Sequence, residues 1–416
     1  MSTGIPAGRR GNVPFTLSYD GKSREEEILR VPAGDFPVRK EVNGRGDNLF
    51  FYGDNLRVLS CLLREGYRGK ITLVYIDPPF STASEFVSRD QSRAYSDLLS
   101  GGEYVEFLRR RLILIRELLS ERGSVYLHLD RNMAFPMKLI MDEIFGPEQS
   151  RAFITRRKCS TKNYAKRSYG DVSDYLLFYS KSADYVWNRP FDPWEYDKML
   201  EEYPCTDERT GRRYKKVPLH APGARNGETG KAWRGKLPPV GKHWQYAPDK
   251  LDALDRAGEI YWSRTGNPRR MVFCDPSKGV PVQNIWMNYR DSVNQSQKTT
   301  GYPTEKNLEM LKMIVSASSN PGDLTLDCFA GSGSFLYAAF ERGRVWIGAD
   351  NSPESLKAAL RRFTVGAQPY GDYVNPSQTP VSPTEPDRRC PFTLRTGRDE
   401  KTEMERIFEE TQATVP

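Results

Sequence analysis

The sequence predicts an α/β fold, a doubly wound parallel sheet interrupted by a long basic insert of mixed α+β character. Three observations carry it. Apolar runs of strand length alternate with amphipathic runs of helix length in both halves of the chain. Two of the strand-like runs, 71–76 and 324–327, open directly into a Pro-rich and a Gly-rich loop. Between them, from about 188 to 294, the alternation breaks into short pieces punctuated by proline and glycine.

Taken in order, residues 1–43 are rich in Gly, Pro and charge and read as an irregular arm. Gly53-Asp54-Asn55 precedes a helix over 56–63, with Asp54 or Asn55 at the N-cap, where a side-chain oxygen satisfies an amide of the first turn. Residues 71–76 form a strand. A helix over about 103–121 places Val105, Phe107, Leu108, Leu112, Ile115, Leu118 and Leu119 at helical spacing. Strand 124–129 follows, then a helix over about 132–145 stopped by Gly146-Pro147, then strand 175–179. After the insert, Pro303 opens a helix to about 316, since proline suits the first helical position. Strand 324–327, helix 334–341, strand 345–349 and helix 353–362 complete the pattern. The remainder, rich in Pro, Ser, Thr and charge, reads as a flexible tail. The expected organisation is therefore an arm (1–43), an α/β domain in two parts (44–187 and 295–365), the insert (188–294) and the tail (366–416).

Composition excludes several classes. A chain of 416 residues has room for two cores. No apolar stretch approaches the roughly 20 residues that span a bilayer, and the first ten residues lack the apolar core of a signal peptide. Six cysteines without paired spacing and three dispersed histidines predict neither a disulfide framework nor a metal site, and suit a reducing cytoplasm. The net charge of +8 is unevenly placed: residues 155–290 hold 26 Lys+Arg against 16 Asp+Glu, a net of +10, and the rest of the chain is slightly acidic. Six of the seven tryptophans (187, 194, 233, 244, 262, 286) lie in the same stretch. Concentrated positive charge attracts nucleic acid by releasing condensed counterions. Each tryptophan taken singly is more often a core residue than a stacking face.

Two motifs carry chemistry. In the first, strand 324–327 leads through Asp327-Cys328-Phe329-Ala330-Gly331-Ser332-Gly333 into a helix, a geometry in which glycines let a ligand approach the backbone closely. A second strand ends about twenty residues later in Asp350, placed to accept hydrogen bonds from ribose hydroxyls. The third glycine of the dinucleotide fingerprint is missing and no basic residue is poised for phosphate, so a phosphate-free nucleoside cofactor, S-adenosylmethionine, fits better than NAD. The second motif is Asp77-Pro78-Pro79-Phe80. An exocyclic amine is a poor nucleophile because its lone pair is delocalised into the base. Hydrogen bonds from that amine to the Asp77 carboxylate and a main-chain carbonyl draw the nitrogen towards tetrahedral geometry. Two prolines hold both acceptors in place, and Phe80 supplies a face for an extruded base.

These residues resemble the amino-methylating DNA methyltransferases of the circularly permuted beta class, in which the catalytic motif precedes the cofactor motif. Gly53-Asp54-Asn55, Asp77-Pro78-Pro79-Phe80 with Ser84-Glu85-Phe86, Trp233-Arg234-Gly235, Gly241-Lys242-His243-Trp244, Tyr261-Trp262-Ser263 and Gly301-Tyr302-Pro303-Thr304-Glu305-Lys306 look like the modification subunits of Type III restriction-modification systems. The resemblance covers about 48–363. It implies a permuted Rossmann-like methyltransferase domain, with the insert as a target-recognition region for double-stranded DNA. It also implies that Asp77, Pro78, Pro79 and Phe80 hold the target amine. Asp54, Asn55, Thr304, Lys306, Asp327, Phe329, Gly331, Gly333 and Asp350 would bind S-adenosylmethionine. The chain departs from the family with Glu305-Lys306-Asn307 in place of Gln-Lys-Pro, which bears on the methionine contacts, and with Ala330 in place of Cys.

Arg156, Arg157, Lys158 and Lys162 are expected to contact DNA phosphates, with Arg234 and Lys242 in the insert. His128 reads as a structural histidine, and Arg109-Arg110-Arg111 as a solvated helix face. The expected product is N6-methyladenine, because Asp rather than Ser precedes Pro-Pro. N4-cytosine methylation and a non-catalytic DNA-binding module are the alternatives. A separate restriction subunit and a second copy of this chain are the protein partners the resemblance allows.

Overall fold

The two motif-bearing strands, some 250 residues apart in sequence, are neighbours in one sheet. The computed structural model describes residues 15–79, 101–161, 167–291, 305–365 and 389–413. It divides into two compact units, Met1–Pro190 with Gln283–Pro416, and Phe191–Val282. In chain order the first unit contains α1 (Glu25–Leu29), β1 (Val38–Val42), β2 (Asn48–Tyr52), α2 (Asn55–Arg64), β3 (Ile71–Ile76), α3 (Gly102–Leu118), β4 (Leu119–Leu129), α4 (Ala134–Phe145), β5 (Ser150–Arg157) and β6 (Ser173–Ser180). After the second unit come β7 (Ile285–Trp286), α5 (Leu308–Ser318), β8 (Leu324–Asp327), α6 (Ser334–Glu341), β9 (Val345–Asp350), α7 (Pro353–Val365), β10 (Phe392–Thr396) and α8 (Lys401–Ala413).

The ten strands are ordered β1-β10-β2-β9-β8-β3-β4-β6-β5-β7. Every neighbouring pair from β10 to β4 is parallel, while β1 and β6 run antiparallel to their neighbours. A parallel sheet covered on both faces needs continuous apolar strands, and β3 supplies one. Val74 and Ile76 join the core built by α2, α3 and α4. Tyr75, pointing the other way, stacks on Phe335 of α6 at 5.3 Å. The sheet is therefore wound on two faces.

Several boundaries differ from the sequence pattern for identifiable reasons. The helix expected over 103–121 stops at Leu118, because the amides of Gly69 and Lys70 take the carbonyls of Glu117 and Leu118 and turn the chain into β4. The helix expected from Pro303 begins at Leu308, where the side chain of Asn307 accepts from the Met310 amide at 3.0 Å. Pro303 itself lies outside the described residues. The arginine run on α3 is not a solvated face: Arg109 and Arg111 are each 4% exposed, with α2 on one flank and α4 on the other. Arg111 donates to Asn55 Oδ1 at 2.6 Å, and Arg109 to the Ser23 carbonyl at 2.9 Å.

The arm and the tail are the largest departures. Residues 38–42 of the expected irregular arm pair antiparallel with 392–396 of the expected flexible tail, and the latter strand pairs in parallel with β2. Helix α8 then packs on α7. Arg395 locks the arrangement. Its guanidinium makes two 2.7 Å bonds to the Glu65 carboxylate, donates to the Phe36 carbonyl at 3.2 Å and lies 4.7 Å from the Phe51 ring centre.

The second unit carries a four-stranded antiparallel sheet, ordered Ile260–Trp262, Pro268–Phe273, Arg213–Pro218, Cys205–Thr206, and a helix at Pro248–Arg256. Its core is Leu219, Trp233, Trp244, Leu251, Leu254 and Ile260. Three indole N–H groups are bonded within it: Trp233 to Asp252 at 2.9 Å, Trp244 to the Lys231 carbonyl at 3.1 Å and Trp262 to Asp255 at 2.9 Å. Among the described residues no helix is long and apolar enough to cross a membrane.

Arg395→Ala should lower the unfolding free energy by roughly 3 kcal/mol, because it strands the partly buried Glu65 carboxylate and opens the β10 edge. Urea unfolding followed by far-UV circular dichroism measures this. An effect below about 1 kcal/mol would show that the tail is not integral to the fold.

Candidate active site

Strands β3 and β8 pair in parallel with Leu326 opposite Val74, so the loops that leave them open on the same sheet edge. That pairing brings Asp77-Pro78-Pro79 beside the Gly loop. The first loop is pinned from α3, where the Tyr104 hydroxyl donates to the Pro79 carbonyl at 2.8 Å. Phe80 lies outside the described residues, as do Thr304 and Lys162.

Asp77 is 17% exposed, and its two oxygens differ. Oδ2 is 3.0 Å from the Lys306 ammonium. Oδ1 is buried and, among the described residues, has no hydrogen-bond partner. Behind it, His128 is fully buried, with Nδ1 2.8 Å from the Tyr75 hydroxyl and 3.9 Å from Asp77 Oδ1. Burial, reinforced by the Asp77 charge, holds the Tyr75 hydroxyl well above its ordinary pKa, so Tyr75 keeps its proton. On the other side of the ring, His128 Nε2 lies 2.9 Å from Asp174 Oδ2, although off the line of a well-directed bond. Burial alone would raise Asp174, but His128, Arg156 and Lys306 outweigh it and hold the carboxyl below the usual range.

The Gly loop is built for close approach and for positive charge. Gly331 and Gly333 have φ of 48° and 72°, in the left-handed region that favours glycine. Asn55, one of the residues expected to bind the cofactor, braces the loop: its Nδ2 donates to the Cys328 carbonyl at 2.7 Å while its Oδ1 is held by Arg111. Asp54 caps α2 through the Arg57 amide and is exposed. With Phe36 and the turn 397–400 it lines a cavity of about 240 Å³. Phe329 is half-buried against Phe107. Asp350 accepts from the Gly331 and Ser352 amides, both at 2.9 Å. Asp327 accepts from the Phe329 amide at 2.9 Å. Burial holds Asp327 well above the carboxylate range; the Phe329 amide opposes this, and the charges of Asp77 and Asp350 add to it. Burial likewise raises Asp350. Neighbouring carboxylates with unfavourable negative charge suit a cationic ligand, and a sulfonium with an α-ammonium group is one. The buried Arg362 beside the loop donates to the Ser332 carbonyl and to Glu305.

The expected phosphate contacts divide. Arg156 is fully buried and bonded to Asp174, Asp291 and the Tyr289 carbonyl. It cannot reach a phosphate. The period-two alternation of β5 puts it on the same inward face as buried Ile154, which a count of basic residues does not see. Arg157 donates to the Cys159 carbonyl and Lys158 pairs with Asp171, both half-buried. In the second unit Arg234, at a strained φ of 48°, is held by Asp252 and Asp255, whereas Lys242 is exposed. Residue spacing did not reveal the set of Tyr75, Tyr104, His128, Asp174 and Asp291, because three separate strands, a helix and the segment after β7 deliver them.

The profile of the N6/N4 DNA methylase family matches residues 71–361. The chain is 47% identical over 379 residues to the Type II methyltransferase M.EcaI of Enterobacter cloacae, covering 89% of this chain and 82% of that protein. It is 27% identical over 332 residues to the StyLTI Mod subunit, a Type III restriction-modification enzyme of Salmonella typhimurium, covering 71% of this chain but only 50% of that protein. A solved structure, the M1.HpyAVI–SAM complex, aligns with a TM-score of 0.41 at 15% identity over 76% of this chain and 98% of that one.

Two consequences can be measured. Arg156→Ala should cost about 3–5 kcal/mol of stability in urea, since it leaves two carboxylates without their shared cation. Loss of a phosphate contact would instead spare stability and reduce the salt slope of DNA binding by about one. Asp327 holds its proton more tightly folded than unfolded, so the cofactor-free protein loses stability as pH rises from about 4 through the raised pKa. Asp327→Asn should remove that fall and stabilise the free protein by about 1 kcal/mol above the window. The same change should weaken S-adenosylmethionine binding about tenfold or more by calorimetry. A variant that binds the cofactor normally would remove Asp327 from the site.

Proposed function

The chain belongs to the N6/N4 DNA methylase family, and from that premise we propose that it methylates N6 of an adenine extruded from double-stranded DNA, as the modification component of a restriction-modification system. S-adenosylmethionine is the methyl donor of the family, and it supplies an electrophilic methyl on a positively charged sulfur. The observation that carries the reading is the buried Oδ1 of Asp77, without a hydrogen-bond partner among the described residues, at the end of a strand paired to the strand of the Gly loop. This chain's part in the chemistry is to hold acceptors still.

The Asp77 carboxylate accepts one amine N–H at Oδ1, and the proline-stiffened loop, pinned through Pro79 by Tyr104, keeps that acceptor aimed. The amine nitrogen pyramidalises and its lone pair turns outward, towards the neighbouring Gly loop. As the new N–C bond forms the methyl–sulfur bond would break, leaving the neutral thioether S-adenosylhomocysteine; the amine proton becomes acidic only then and would pass to solvent, so no strong base is required beforehand. Extrusion of the base costs a few kcal/mol, offset by contacts to the flipped nucleotide. Asp in the first position of the Asp-Pro-Pro motif favours adenine; N4 of cytosine is the second reading, since the same geometry accepts either amine. The second unit, basic and independently cored, is the proposed target-recognition region, with exposed cations such as Lys242 for the phosphates.

Incubation of the protein with tritiated S-adenosylmethionine and unmethylated bacterial DNA, followed by nucleoside mass spectrometry, tests this. The expected product is N6-methyldeoxyadenosine, and Asp77→Ala should reduce its formation by at least about 100-fold. N4-methyldeoxycytidine instead would overturn the base assignment. An undiminished Asp77→Ala would overturn the mechanism.

A further inference from the structure

Lys306 stands in the segment from which a cofactor contact is expected, yet its ammonium lies 3.0 Å from Oδ2 of Asp77, and its side chain is only 9% exposed. The turn that carries it is fixed on both sides. Before it, Glu305 takes a 2.6 Å bond from the buried Arg362, whose Nε also donates to the Ser332 carbonyl of the Gly loop at 2.8 Å. After it, the Asn307 amide donates to Asp291 at 3.1 Å and the Asn307 side chain to the Arg290 carbonyl at 2.7 Å. The two residues of this segment that depart from the family pattern are thus the two that anchor the turn. A proline at 307 could neither donate that amide nor cap α5 with its side chain.

Resting on the reading above, we propose that Lys306 is a positioning residue for methyl transfer: it clamps Oδ2 of Asp77 so that Oδ1 alone faces the target amine. The charge arrangement fits this role. Burial works against the ammonium, but Asp77, Asp291 and Asp174 outweigh it and hold its pKa above the ordinary lysine value, so it stays charged. Without it, among the described residues, Arg156 alone would face the carboxylates of Asp174 and Asp291, and Oδ2 of Asp77 would lose the ion pair that holds it. A clamp on one oxygen also divides the labour of the carboxylate, one oxygen for orientation and the other for the amine. The same turn joins the Gly loop, through Glu305 and Arg362, to the Asp-Pro-Pro loop, so the two halves of the site are set by one short segment.

The test compares wild type, Lys306→Met, Lys306→Gln and Lys306→Arg, using S-adenosylmethionine and unmethylated bacterial DNA. Calorimetry gives the cofactor Kd, steady-state methyl transfer gives kcat and the KM for DNA, and circular dichroism reports folding. Lys306→Met should lower kcat about 100-fold. Its cofactor Kd and DNA KM should stay within about threefold of wild type. Lys306→Arg, which keeps the charge, should recover about tenfold of the loss. If the methionine variant does not fold, Lys306→Gln carries the same comparison. A cofactor Kd weakened more than about tenfold with kcat intact at saturation would overturn the clamp and make Lys306 a cofactor contact. An equally active Lys306→Met would overturn it too, leaving the functional reading intact. A wild-type protein that transfers no methyl would instead sink the functional reading itself.

Discussion

Burying ionised carboxylates at the end of a parallel sheet costs several kcal/mol each unless cations meet them. Here Asp77, Asp174 and Asp291 are met by Lys306 and Arg156, with His128 between the first two. The contributors come from β3, β4, β5, β6 and the turn before α5, so the charge balance ties together segments distant in sequence. Hydrophobic burial assembles the sheet, but it is indifferent to where a carboxylate oxygen points. The ion pairs supply that direction. Among the described residues their arrangement leaves one oxygen of Asp77 without a donor, a costly condition that the proposed substrate N–H would relieve.

The cofactor side follows a related logic with the opposite sign. Asp327 and Asp350 sit with backbone amides, and burial disfavours their charge. Such a site gains most from a ligand that brings its own positive charge. Stability forgone in the empty protein is the usual counterpart of binding strength at a functional site. The glycines contribute differently: positive φ at 331 and 333 turns amides inward, and the amide of Gly331 already holds Asp350 in place.

Charge concentration and aromatic content, which coincide in the middle of the chain, turn out to do different things. Trp233, Trp244 and Trp262 hold the second unit together, their N–H groups all bonded inside it. Basic side chains such as Lys242 remain at its surface. Arg156, from the same basic stretch, belongs to the charged core of the other unit instead. A basic count therefore marks a region and not individual contacts.

Sequence alone determined the alternation of strands and helices, the order of the two motifs and the chemistry their residue types permit. Those features are local: five apolar residues in a run of six, a cap at Asp54, two prolines after an aspartate. Strands β1 and β10 were illegible because each is five residues long, carries only two apolar side chains and is stabilised by a partner some 350 residues away. The inward turn of Arg156, the bracing by Asn55 and the pairing of Lys306 with Asp77 were illegible for a related reason. Each depends on which side of a strand or helix meets which distant carboxylate. Only the tertiary structure decides that, because burial and ion pairing act through space while sequence spacing records only the path of the chain.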